Sequence, residues 1–214
     1  MRLVTSLTGV ALLATCLAGC SADEPEAAAQ QPAAAVQITP VAAAATIKYV
    51  FPVRASNVSV PKTHSGYPAT DIFAACGKPV LATTSGVVLE VSRKDRYVKG
   101  KPDGPYNGGK FVSILGDDGV RYYGSHLSKV TKGIKKGVRV KAGQVVGKLG
   151  KTGNASNVCH LHYGISPPCK KTGDWKVRRG VVWPAKYLNS WRKGGQKSPV
   201  AAVKAWNRKH HCKA

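Results

Sequence analysis

The sequence predicts an all-β fold: one antiparallel β-sheet domain followed by a short C-terminal helix. Three observations point there. Short apolar runs recur along the chain and are broken by glycine, the pattern of strands bounded by turns. Asp118-Gly119 stands between two of those runs, a dipeptide suited to the positive φ angles of a tight hairpin. Residues 99 to 110 read Lys-Gly-Lys-Pro-Asp-Gly-Pro-Tyr-Asn-Gly-Gly-Lys, a composition that suits a loop and no regular element.

In chain order, Arg2 and an apolar run through Leu12 and Leu13 precede Leu17-Ala18-Gly19-Cys20. This is a charged segment followed by an apolar one too short to span a membrane comfortably. Its ending resembles a bacterial lipobox, so residues 1–19 are expected to be a lipoprotein signal peptide. Cleavage would leave an acylated Cys20 as the anchor to the outer face of the cytoplasmic membrane. An ordinary signal peptide cut nearby is the alternative. Residues 20–46 are mostly Ala, Pro and Gln with Asp23, Glu24 and Glu26. So few large apolar groups cannot offset the entropy of ordering, and a disordered spacer is expected. Its root-mean-square reach would be roughly 25–30 Å.

Residues 47–190 form the predicted sheet domain, with strands at Pro79–Ala82, Gly86–Ser92, Phe111–Leu115, Val120–Ser125, Gln144–Leu149 and His160–Ser166. The loop 99–110 either walls a groove or is an inert surface insertion. In the basic extension 191–214, Ser198-Pro199 supplies an N-cap and a proline for the first helical position. Val200, Val203 and Trp206 follow at helical spacing, and Arg208 and Lys209 suit the negative end of the dipole. Residues 174 to 192 carry Trp175, Trp183 and Trp191 among Arg178, Arg179 and Arg192. They read as aromatics capping a core, with a glycan-binding face as the alternative.

Of six histidines, His64, His126, His160 and His162 concern us most, together with Asp71. On a strand, residues two apart share a face, so His160 and His162 look into one groove. Taken singly, each histidine reads as a core hydrogen-bonder or an exposed group. Jointly with an aspartate they supply what a catalytic zinc site needs, three protein ligands and one open position. His210 and His211 are expected in solvent.

The blocks around these residues sharpen the reading. They are His64…Asp71-Ile-Phe-Ala-Ala-Cys-Gly-Lys-Pro-Val-Leu-Ala-Thr-Thr-Ser-Gly86, Tyr122-Tyr-Gly-Ser-His126-Leu127, and Gly143-Gln-Val-Val-Gly-Lys-Leu-Gly-Lys-Thr-Gly153 followed by His160-Leu-His162-Tyr-Gly-Ile165. In this order they resemble the lysostaphin/LytM-type zinc metallopeptidases that cut peptidoglycan cross-links. The resemblance implies a β-sheet domain with a catalytic groove, with His64, Asp71 and His162 as zinc ligands. His126 and His160 would stay unligated and handle protons. Six residues separate His64 from Asp71 where the family usually has three, and Gly66 and Pro68 make the insert a turn. Zinc so held would bring the pKa of bound water down toward about 7 and polarise an amide carbonyl. A Cys159/His160 dyad is the less favoured chemistry, because a disulfide is expected for that thiol. The expected function is a zinc-dependent endopeptidase on peptidoglycan cross-links during wall remodelling. The alternatives are a silent wall-binding lipoprotein that regulates other hydrolases, or a zinc amidase that cuts glycan from stem peptide.

The formal net charge is +23. Setting aside Arg2 and the three acids of the spacer leaves 32 Lys and Arg against 7 Asp and Glu. Such an excess suggests nucleic acid, but an exported chain with no reader motif is not expected to meet it. Anionic wall polymers and peptidoglycan carboxylates are the expected partners, held in a salt-dependent way. A monomer is expected. The domain's four cysteines, Cys76, Cys159, Cys169 and Cys212, suit two disulfides in an exported protein. A strand of seven residues spans roughly 23 Å, too far for Cys159 to reach Cys169 across it. If the strands of Asp71 and His162 lie antiparallel, Cys76 falls near Cys159 and Cys169 is left for Cys212. If parallel, Cys76 falls near Cys169. The first arrangement is preferred, and no Cys-x-x-Cys spacing supports a thiolate zinc site.

Overall fold

The computed structural model describes residues 46–169 and 174–214. The expected signal segment, Cys20 and the spacer through residue 45 lie outside the described residues. Among the described residues, nine strands and three helices follow in order: β1 Thr70–Phe73, β2 Pro79–Leu81, β3 Gly86–Ser92, β4 Phe111–Gly116, β5 Arg121–Ser125, β6 Lys129–Val130, β7 Arg139–Val140, β8 Val145–Lys148, β9 His160–Ser166, α1 Trp175–Arg178, α2 Ala185–Arg192 and α3 Val200–His210. The strands divide between two sheets, one ordered β1-β9-β5-β4-β3-β7 and one β2-β8-β6. Every pairing is antiparallel. Among the described residues, no helix is long and apolar enough to cross a membrane.

The hairpin expected at Asp118-Gly119 joins β4 to β5. Gly119 takes φ +77°, and the Asp118 carboxylate accepts the Val120 amide at 3.1 Å, which fixes the register of Val112 through Leu115 against Gly124 through Arg121. One core fills the space between the sheets. Ile72, Val112, Ile114, Leu161, Tyr163 and Ile165 from the larger sheet join Val80, Val130 and Val146 from the smaller one in a single buried cluster. Each such side chain removed from water contributes about 1.5–3 kcal/mol.

β9 is buried along its whole length, with one face in the core and the other partly covered. Leu161, Tyr163 and Ile165 enter the core. Across the other face runs the turn that follows α1, tied on by the amides of Val181 and Val182, which donate to the Ile165 carbonyl. At Gly164 the two backbones come so close that a Cβ would strike the Arg179 carbonyl. Gly164→Ala should therefore lower stability by about 1–3 kcal/mol. A thermal transition equal to that of the parent would show the contact to be slack.

Two helical segments were not apparent in the sequence. α2 buries Tyr187, Leu188 and Trp191, a one-sided stripe amid lysine, arginine and asparagine. Trp191 stacks on Tyr49 at 5.4 Å and donates its indole N–H to the Lys197 carbonyl, so this tryptophan caps the core, whereas Trp183 is 43% exposed. α2 runs across the boundary expected after residue 190, and Val203 of α3 belongs to the same core. Segment 191–214 thus packs as part of the domain. α3 begins at Val200, with Pro199 in the cap position and no side-chain cap. Ser198 Oγ accepts the Tyr49 hydroxyl at 3.0 Å and the Val200 amide at a long 3.3 Å, so its capping is weak. Disulfides join Cys76 to Cys159 and Cys169 to Cys212. The first follows from the antiparallel run of β1 against β9, and the second ties the C-terminal end of α3 to the segment after β9.

Candidate metal and catalytic site

The register of β1 on β9 pairs Asp71 with His162 and Phe73 with His160. Directly opposed residues share a face, so the carboxylate and both imidazoles project to the side away from the core. β5 adds Ser125, opposite His162. Together with the loop that holds His64, these strands floor a cavity of about 440 Å³. Asp103, Gly104, Pro105, Asn107 and Gly108 of the glycine-rich loop form part of its wall, so this loop walls the groove rather than being an inert insertion.

His64, Asp71 and His162 each bring a ligand atom within 4.8 Å of the other two. The hydrogen bonds around His162 say what belongs between them. Its Nε2 lies 2.9 Å from the Arg179 carbonyl, an oxygen that only accepts, so Nε2 carries a proton. Its Nδ1 faces Asp71 Oδ1 at 3.1 Å. A neutral imidazole would thus turn a lone pair on a carboxylate. The repulsion is relieved if His162 is doubly protonated or if a cation takes both donors. His64 is similarly uncommitted: its Nδ1 is buried with no partner among the described residues, and its Nε2 lies 3.9 Å from Asp71 Oδ2. Two imidazoles and a carboxylate with donor atoms free toward one point fit a divalent ion such as zinc. Burial, reinforced by His162, holds His64 below the ordinary imidazole range, which keeps it in its metal-binding form. Burial pushes Asp71 up, yet the hydrogen bond and charge of His162, with His160 and His64, outweigh it and leave the carboxyl below its ordinary value.

His126 and His160 are set differently. His126 Nδ1–H donates to the Thr152 carbonyl at 2.7 Å, and His160 Nδ1–H to the Val158 carbonyl at 3.0 Å. Each carbonyl fixes the tautomer and leaves Nε2 as an acceptor. The two rings lie 4.6 Å apart, and both residues line the cavity. His126 sits at φ +64°, a left-handed conformation that costs a non-glycine residue energy and that clusters at functional sites. Its amide donates to the Gly108 carbonyl, so the cavity-wall loop helps to hold it there. Burial, with His162 and His160 adding to it, lowers its pKa to about 3, and the imidazole is a free base at neutral pH. The Cys159 thiol is spent in its disulfide, which removes the Cys159/His160 dyad. His210 stacks on Trp206 at 4.7 Å, and it and His211 form no part of the cavity.

Three cavity residues were not singled out for it by sequence. Tyr67, within the longer insert after His64, stands 4.5 Å from the His64 ring. Tyr123 lies on the same face of β5 as Ser125 and is fully buried, which raises its pKa. Arg179 presents its carbonyl to His162 and its guanidinium to Tyr67. Strand alternation in Tyr123-Gly-Ser125 could have placed Tyr123; nothing local could have placed the other two.

Asp71 and His162 on facing strands, with His64 beside them, make a site that could hold a metal ion, and two further histidines line the same cavity. Residues 63–173 match the model of Peptidase family M23, which is just over half of the chain, and the protein belongs to that family. It is 32% identical over 138 residues to the L-Ala--D-Glu endopeptidase of Bacillus subtilis (strain 168), covering 62% of this chain and 36% of that protein. It is 37% identical over 94 residues to lysostaphin of Staphylococcus simulans, covering 44% of this chain and 16% of that protein. The chain therefore spans little more than a third, or less, of the length of these curated relatives. A solved catalytic domain of the antimicrobial peptidase lysostaphin from Staphylococcus simulans matches with 26% identity over 62% of this chain and 93% of that one, at a TM-score of 0.48.

Proposed function

We propose that this protein is a zinc-dependent endopeptidase that hydrolyses amide bonds in peptidoglycan cross-links. The observation that carries the reading is the convergence of ligand atoms from His64, Asp71 and His162 within 4.8 Å of one another, at the floor of a groove that His126 and His160 also line. Family membership and relatives named as endopeptidases support it. His64, Asp71 and His162 are the metal ligands, and the bound ion supplies Lewis acidity toward water and a scissile carbonyl. His126 and His160 use their Nε2 atoms to orient a water molecule, accept its proton and return one to the leaving amine. The carbonyls of Thr152 and Val158 hold both rings so that little reorganisation is needed. The open groove suits an extended peptide, and the basic surface holds the enzyme to anionic wall polymer. The lipobox-like segment ending at Cys20 supports membrane anchoring on the outer side, with a monomer as the working form.

Digestion of purified peptidoglycan with and without a chelator tests this. Chelator-sensitive release of fragments cut within the peptide bridges is the expected result. Absence of chelator-sensitive release would reject the enzyme reading, and release of whole stem peptides would replace it with an amidase.

A further inference from the structure

Arg178 and Arg179 are adjacent in sequence and both line the cavity, but their guanidinium ends differ. Both terminal nitrogens of Arg178 are engaged, one donating to Glu90 Oε2 at 2.7 Å and the other to the Pro105 carbonyl at 3.0 Å, while its Nε has no partner among the described residues. Its guanidinium also lies 4.3 Å from the Phe111 ring centre. It braces the cavity-wall loop against β3. The Arg179 side chain is the more open of the two, 26% exposed against 7%. Its guanidinium sits 3.7 Å from the Tyr67 ring centre and 5.0 Å from that of Trp175, so two aromatic rings hold it in place.

What those rings leave undone is hydrogen bonding. The Nε of Arg179 is buried with no partner among the described residues. The nearest carboxylate is Asp103, at 3.6 Å from a terminal nitrogen and 66% exposed, too long for a hydrogen bond and worth little as a surface ion pair. A guanidinium held between aromatic rings, partly desolvated and short of acceptors is prepared for a planar anion that takes two parallel N–H bonds. It stands on the same cavity as His64 and His162, within the reach of a peptide lying along the groove.

We propose that Arg179 is a specificity-determining residue that binds a carboxylate of the peptide substrate, so that the enzyme selects stem peptides with a free acid near the cleaved bond over their amidated forms. This rests on the peptidase reading above, which the digestion experiment tests separately. The tyrosine of the insert after His64 is then part of the device, since it supplies one of the rings that hold the guanidinium.

The test uses a soluble stem-peptide fragment from purified peptidoglycan, with its carboxylates free or converted to primary amides with carbodiimide and ammonia. Binding is measured by calorimetry to the full-length, zinc-loaded protein carrying His126→Ala, which blocks turnover. The free acid should bind at least about tenfold tighter than the amide, the scale of a charge-assisted bidentate pair. Adding Arg179→Gln should bring that ratio to about one. Comparing the ratio within each variant cancels the general attraction of a basic surface. A ratio near one in the parent overturns the proposal, as does failure of both forms to bind. So does a ratio that survives Arg179→Gln, which would mean that the metal or another cation holds the carboxylate. If Arg179→Gln does not fold, Arg179→Lys decides, because it keeps the charge and loses the planar fork. A clear fall in the ratio supports the assignment, and an unchanged ratio overturns it.

Discussion

Alanine at position 162 or 71 should leave a folded protein that no longer holds stoichiometric zinc and no longer cuts peptidoglycan, whereas alanine at 126 should leave the zinc and remove the activity. The two outcomes differ because the side chains have different bonds. Asp71 and His162 face each other at 3.1 Å across the point where a cation relieves their repulsion. His126 holds its Nδ1 proton against a carbonyl and keeps Nε2 for substrate chemistry. Loss of a positioned proton carrier of this kind lowers rates by roughly 10²–10⁴-fold. Metal analysis beside a turnover assay separates the classes. Full zinc occupancy in Asp71→Ala or His162→Ala would overturn the ligand assignment, and loss of zinc in His126→Ala would move that residue into the ligand set.

Reduction of the disulfides, or serine at Cys76 and Cys159, should produce the largest change in stability. The Cys76–Cys159 bond links residues 83 apart, and closing a loop of that size in the unfolded chain is worth roughly 4.5 kcal/mol by loop entropy. The bond also joins the segment after β1 to the residue preceding β9, the two strands that carry Asp71 and His162. Its loss should therefore weaken zinc retention as well as lower the thermal midpoint. The Cys169–Cys212 bond closes a shorter span of 43 residues at the tail, so its removal should lower the midpoint by somewhat less and leave zinc binding intact. Melting curves and metal content of the two double-serine variants check both statements. Equal effects on zinc would refute the link between the first disulfide and the site.

What the sequence reveals about this site depends on how local the signal is. His160-Leu161-His162 declares its own geometry, because alternation along one strand suffices to put both imidazoles on one face. Asp118-Gly119 likewise determines its hairpin without help from distant residues. Asp71 is harder. Its strand is only Thr70–Phe73, too short to show a period, and its meeting with His162 depends on pairing across 91 positions. Arg178 and Arg179 lie beyond local reading altogether: which of them is buried is decided by Glu90 and Pro105, far back in the chain. α2 was hidden for a different reason. Its apolar stripe is three residues wide and set among charged neighbours, so only the packing of Trp191 against Tyr49 makes it visible as a core element.

β9 has neighbours on both edges, with β1 on one side and β5 on the other, and one face in the core. Its amides can meet solvent only when the whole domain opens, which places it among the slowest-exchanging segments of the chain. The two imidazoles it carries therefore inherit the lifetime of the native state itself. Breathing of the outer loops can admit or release a peptide without disturbing them. In this protein the chemistry is written on the part that moves least, and adaptation to a substrate is left to the loops around it.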